Sequence, residues 1–210
     1  MGRRTVVALL APVPWAPPGI DPTAWRTALA EDVVDLIATL AHVDPAIAVP
    51  AGERALAEAV AWPGMRVDEL PTATITAALA AAAAAGYDQA AVIAGDAPDL
   101  PGLVLGKLLR PVTSRPVAIA PAGATGLVGL AARLPVPDWL PEVDLDADPA
   151  EIAAAAPRRG DVAVTPAWRR LRGPADLATL DPHLEGWEAT RALLSAGRRY
   201  GAPSDDPAVA

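Results

Sequence analysis

The chain has no cysteine, no phenylalanine and no asparagine, a single lysine (Lys107), and only two histidines, His42 and His183. Without cysteine there can be no disulfide and no thiolate-ligated metal. Two histidines are too few for a zinc site built on imidazole alone. No apolar run approaches the roughly 20 residues that span a bilayer; the stretch Ala80 to Ala85 is a helix former instead. Positive charge is also scarce. The formal net charge is −8, so the molecule as a whole repels phosphate backbones, which argues against a nucleic-acid platform.

What is present is apolar and small. Of 210 residues, 52% are hydrophobic, 50 are alanine, 24 proline and 16 arginine. That apolar content excludes a disordered chain and suffices for one domain with a sizeable core. We expect a single domain over residues 1–200 and a flexible C-terminal tail over 201–210. The alanine and arginine bias is what coding DNA rich in G and C would produce, so by itself it says little about function. The N-terminal Arg3-Arg4 and the apolar Thr5 to Ala11 have the look of a short signal peptide, but prolines from Pro12 onward end the run after about seven residues, the lower limit for such a segment. A buried first strand explains the same letters, and the expected location is cytoplasmic.

Short β-branched and aliphatic runs alternate with helical patterns. Strands are predicted at Val6–Leu10, Ala46–Val49, Met65–Val67, Ala90–Ala94, Val117–Ala120, Leu127–Leu130 and Asp161–Thr165. Helices are predicted at Ala24–Ala41 (capped by Thr23), Glu53–Ala61, Ile75–Ala85 (capped by Thr72 or Thr74), Leu103–Leu109, Ala150–Ala156, Pro174–Leu180 and Trp187–Gly197. This alternation indicates βαβ units, hence an α/β fold: a three-layer sandwich with a mostly parallel sheet between helices.

One stretch carries chemistry. In Ala91-Val92-Ile93-Ala94-Gly95-Asp96-Ala97-Pro98-Asp99-Leu100-Pro101, a buried strand delivers Asp96 to its carboxyl end, where α/β sheets bind ligands. Two carboxylates three residues apart at such an edge can hold Mg²⁺ or Mn²⁺ against a nucleotide diphosphate, because hard cations take oxygen ligands. From spacing alone a purely structural role is favoured: Asp96 as a turn former and Asp99 as the cap of the next helix. Ser114, Ser195 and Ser204 have no nucleophile-elbow context. His183 follows Asp181-Pro182 as a turn or cap residue, and His42 is expected at a helix C-terminus, where the dipole favours a cation.

The order strand, Gly-Asp-x-Pro-Asp-Leu-Pro, helix, strand resembles the metal-binding strand end of small glycosyltransferase-A-fold proteins. These include molybdenum-cofactor and phospholactate guanylyltransferases and a group of bacterial glycosyltransferase-like proteins. Further points of resemblance are Ala11-Pro12-Val13-Pro14 after the first strand, Gly129-Leu130 at the end of a later one, and the helix start Pro174-Ala175-Asp176-Leu177; together they cover roughly residues 4 to 181. The resemblance implies a nucleotide-diphospho-sugar-transferase-like fold. It also implies Asp96 and Asp99 as metal ligands, Mg or Mn as the cofactor if the protein is active, and a nucleotide or nucleotide-sugar as ligand.

The departures from the family pattern concern charge. The family's opening loop carries basic residues that would meet phosphates; here Leu10 replaces the first lysine, Trp15 replaces a glycine, and Ala16 to Pro22 holds no cation. Arg26 is the nearest one. Asp68-Glu69-Leu70 lacks the arginine of the family's acidic segment, and Ala124-Thr125-Gly126-Leu127 lacks its carboxylate and aromatic residue. Where the family has a second metal-binding aspartate, this chain has Arg170-Leu171-Arg172. A guanidinium cannot ligate a cation. Three readings follow. Arg170 or Arg172 reaches Asp96 or Asp99 and replaces the metal's charge; or the arginines bind a phosphate or carboxylate ligand directly; or they are solvated. Trp15 would fill the space of the nucleotide. On residues alone, we expect a degenerate transferase, a pseudoenzyme acting as a binding or assembly protein, with a protein partner or a second copy of itself as its target. The alternative is an active nucleotide-sugar or nucleotidyl transferase that uses Asp96 and Asp99.

Overall fold

A computed structural model describes residues 2–123 and 125–200, the last four by backbone alone. The expected flexible tail, 201–210, lies outside the described residues, as does Ala124.

Seven strands form one sheet: β1 Arg4–Leu9, β2 Asp44–Pro50, β3 Arg66–Leu70, β4 Gln89–Ala94, β5 Val117–Pro121, β6 Leu127–Arg133 and β7 Val162–Val164. Their spatial order is β3-β2-β1-β4-β6-β5-β7. β3, β2, β1 and β4 run parallel, whereas β6 is antiparallel to both β4 and β5. β1, the apolar run near the N-terminus, is therefore a central strand. It is hydrogen-bonded on both edges and buried from Thr5 onward. Alternation along it divides the core: Val6 and Ala8 face one layer, Val7 and Leu9 the other.

Helices cover both faces. α1 Pro22–Ala38, α2 Arg54–Val60 and α4 Gly102–Leu109 pack on the Val6 side, and α3 Ile75–Ala84 and α5 Pro149–Ala155 on the Val7 side. α6 Pro174–Leu177 and α7 Glu188–Tyr200 follow the last strand. The three-layer α/β architecture is the expected one.

Local boundaries differ in instructive ways. α1 is capped by Asp21, whose carboxylate accepts from the Ala24 N–H at 2.9 Å, with Pro22 in the first turn; Thr23 lies inside the helix. α1 stops at Ala38, so His42 sits beyond it in a left-handed turn (φ 65°) rather than at the helix end. Thr74, not Thr72, caps α3. β6 continues to Arg133, three residues past the expected end, because its last residues stay paired, Ala131 and Ala132 with both β4 and β5 and Arg133 with Gln89 of β4. Among the described residues, no helix is long and apolar enough to cross a membrane.

Candidate functional site

The carboxyl ends of β1 and β4 meet where the chain leaves β4 through Gly95. The Gly95 N–H donates to the Leu9 carbonyl at 3.0 Å, and a Cβ at this position would lie 2.7 Å from the Leu10 side chain. A larger residue would have to push the Leu10 side chain aside and crowd the Leu9 carbonyl, 3.1 Å from such a Cβ, so glycine suits the turn's close crossing of the end of β1. The turn carries Asp96 and Asp99, each 3% exposed.

Asp99 does not cap α4. Pro101 occupies that position and makes no side-chain bond. The carboxylates of Asp96 and Asp99 instead face an extended segment, Trp168 to Arg172, between β7 and α6. This strap is pinned to the sheet edge: Trp168 bridges to Ala122, its N–H donating to the Pro121 carbonyl, and the Leu171 N–H donates to the Asp96 carbonyl at 2.8 Å. Its side chains then occupy both acids. The Arg170 Nε donates to Asp96 Oδ1 at 2.8 Å. Arg169 donates Nε (2.7 Å) and a terminal nitrogen to Asp99 Oδ2, while the Trp168 indole donates to Asp99 Oδ1 at 3.1 Å. The Arg169 guanidinium also stacks over the Trp168 ring, 4.7 Å from its centre.

Arg170 is itself 6% exposed and saturates its other side on the Leu145 carbonyl (2.8 Å) and Asp146 (3.0 Å). Burial works against its charge, but the adjoining carboxylates, Asp96 first and then Asp146, more than reverse this, and its pKa is raised above the ordinary arginine value. Arg172 reaches neither strand-end aspartate. It pairs with Asp146 at 2.9 Å, and its backbone N–H donates to Asp176 of α6. Arg169 and Trp168 complete Asp99, a pairing that the resemblance does not assign. The signal was there in the run Trp168-Arg169-Arg170: in extended chain, adjacent arginines point to opposite sides, so one such pair can serve two acids.

The residues do not form a cation site. Both Asp99 oxygens and one Asp96 oxygen are taken by donors, and the second acid the family would supply is an arginine. Among the described residues no group of three or more His, Asp or Glu side chains converges. Mg²⁺ or Mn²⁺ would have to displace two guanidinium groups, so the expectation of Asp96 and Asp99 as open metal ligands does not fit this donor set.

The opening loop offers no phosphate clamp either. Trp15 is half-buried, edge-on to Trp25 (ring centres 6.1 Å apart, planes at 88°), in an apolar cluster with Leu29 and the strap residue Leu171. Arg26 lies on α1 and is committed to the Leu10 carbonyl and the Glu53 carboxylate. Asp68-Glu69-Leu70 is the end of edge strand β3, where Glu69 pairs with Arg54. Gly126 (φ 80°) passes so close to the Leu145 carbonyl that a Cβ would lie 2.8 Å away, and the Thr125 carbonyl accepts from Arg172.

Four parallel strands, an antiparallel β6 and a carboxylate turn after β4 place this chain in the nucleotide-diphospho-sugar transferase fold, shared with nucleotidyltransferases. Solved structures of that fold superpose over nearly the whole chain. A protein assigned as a nucleotide-diphospho-sugar transferase from Desulfovibrio desulfuricans G20 aligns over 95% of this chain and 99% of its own, with TM-score 0.63 and 16% identity. A nucleotidyl transferase from Methanothermobacter aligns over 93% of this chain and 99% of its own, with TM-score 0.56 and 19% identity. Glucosyl-3-phosphoglycerate synthase from Mycobacterium tuberculosis, solved with Mg²⁺ and UDP, aligns over 93% of this chain and 79% of its own, with TM-score 0.53 and 15% identity. At these identities the likeness is one of fold. Neither family models nor curated protein sequences match the chain.

Proposed function

We propose that this protein is a non-catalysing member of the nucleotide-diphospho-sugar transferase fold, which acts by binding or assembly rather than by metal-dependent transfer. The observation that carries the reading is the closure of both strand-end aspartates by arginines of the same chain: Arg170 on Asp96 and Arg169 on Asp99. A transferase of this fold that uses a metal needs those oxygens free to meet a cation and, through it, a diphosphate. Here fixed positive charge already neutralises them. A cationic loop to receive phosphates is also missing, since Arg26 is spent on Glu53 and Trp15 on an apolar cluster. The protein's ligand is then a partner surface, another copy of the chain, or a nucleotide held without metal.

Thermal unfolding with GTP, CTP, UTP, UDP-sugars and GDP-sugars, with and without Mg²⁺ or Mn²⁺, tests this. A ligand at a hundred times its Kd would raise Tm by about 5–10 °C in a domain of this size. The expected result is no metal-dependent shift with any of them. A rise that requires both nucleotide and metal overturns the proposal and favours the alternative, an active transferase using Asp96 and Asp99.

A further inference from the structure

The strap that closes the site has a second side. Leu171, between the two arginines Arg170 and Arg172, is fully buried in a cluster with Trp25 and Leu29 of α1. Leu193 and Leu194 of the C-terminal helix α7 pack against the same cluster, as do Leu177 and Leu180. The strap is thus held on one side by ion pairs to Asp96 and Asp99 and on the other by an apolar cluster against which α7 also packs.

α7 adds no strand to the sheet, and its start is held by one acid from α1. The Asp32 carboxylate, 3% exposed, accepts the Ala189 N–H at Oδ1 and the Thr190 N–H at Oδ2, both at 2.9 Å and across more than 150 residues of sequence. The first N–H groups of a helix have no partner within the helix, and a carboxylate there satisfies them and favours the positive end of the dipole. Ordinary caps come from the residue before the helix; here the cap comes from another helix, so it acts as an anchor. Trp25 and Leu29, which seat Leu171, and Asp32, which seats α7, lie on one helix, α1.

We propose that α7 is a latch: docked on α1 through Asp32, it keeps Leu171 enclosed and thereby holds Arg169 and Arg170 on Asp99 and Asp96, a conformational device built into the fold. The proposal rests on the reading of these two acids as closed by arginines. When α7 lifts away, Leu171 keeps Trp25 and Leu29 but loses part of its cover, the strap is held less firmly, and the acids become accessible more often.

Hydrogen exchange read by mass spectrometry tests the latch in the full chain. In Asp32→Ala, and separately in Leu193→Ala/Leu194→Ala, amides of 168–172 are expected to exchange on the order of tenfold faster together with those of α7, while amides of β1 and β4 keep their wild-type rates. The milder Asp32→Asn, which keeps one acceptor and the side-chain shape, is expected to give an intermediate increase and guards against loss of fold in the alanine variants. Faster exchange in α7 with an unchanged strap overturns the latch. So does a strap that exchanges faster only when β1 and β4 do. Because no ligand enters this measurement, it fails independently of the closed-site reading, which fails instead if wild-type protein shows a metal-dependent nucleotide shift.

Discussion

At the scale of single residues, the site is decided by where four charges go. Asp96 and Arg170 are both nearly excluded from water, and each has its charge met by the other. Such a pair adds little net stability over an apolar alternative, but removing one member strands the other. Arg170→Ala is therefore expected to destabilise the fold by about 3–5 kcal/mol in urea unfolding. Adding Asp96→Ala to it should recover part of that loss rather than increase it. If the double variant is as unstable as the sum of the two single ones, the pair is not coupled and the closure of Asp96 is a packing effect of Arg170 alone. This pairing was among the readings that the residues suggested; its partner, Arg169 on Asp99, was not. The sequence places three arginines in four positions but contains nothing that says which of them faces which acid.

At the scale of elements, the boundaries followed local chemistry more than hydrophobic period. Asp21-Pro22 starts α1 one turn ahead of the apolar stripe, because cap and proline are pre-organised there. Helix α7 shows a longer-range version, since its cap is Asp32 on α1. Burial pushes this carboxyl up to about 6, against the N–H bonds of Thr190 and Ala189 that favour the charge and with a smaller upward push from Glu188. A pKa raised on folding means that the folded state holds the proton more tightly. The contribution is fully present below the unfolded pKa near 4 and is lost as the pH rises through 6. Relative to Asp32→Asn, the wild-type protein is thus expected to lose about 2 kcal/mol of unfolding free energy between pH 4 and pH 7, measured by urea titration at each pH. A wild-type-minus-variant difference that stays flat over that range would show that the two backbone N–H groups hold the carboxylate ionised in place.

At the scale of the whole molecule, charge balance separates what the protein repels from what it conceals. The net charge is −8, and the arginine run that looks basic in sequence is largely consumed: Arg169, Arg170 and Arg172 pair with Asp99, Asp96 and Asp146. With a net negative charge and these strap arginines already paired, the molecule gives little counterion release on a phosphate backbone. Labelled single-stranded and duplex oligonucleotides are accordingly expected to show no anisotropy change up to tens of micromolar protein at about 150 mM salt. Saturable micromolar binding would mean that the strap arginines leave their partners for phosphate.

The architecture was legible because period and punctuation are local. Five- to seven-residue apolar runs, glycines at turns and helices between them require a mostly parallel sheet sandwiched by helices, and the Gly95-Asp96 turn has to fall at a strand end. The antiparallel insertion of β6, the placement of α7 on α1 and the pairing of each arginine with its acid were not legible. They depend on contacts between residues some 25 to 160 positions apart, and no short window of sequence carries the geometry that brings them together. Composition and motif order thus define the fold and name the two acids. Only tertiary packing, by laying Trp168 to Arg172 across the end of β4 and burying Leu171 behind it, turns what reads as a metal edge into an ion-paired one.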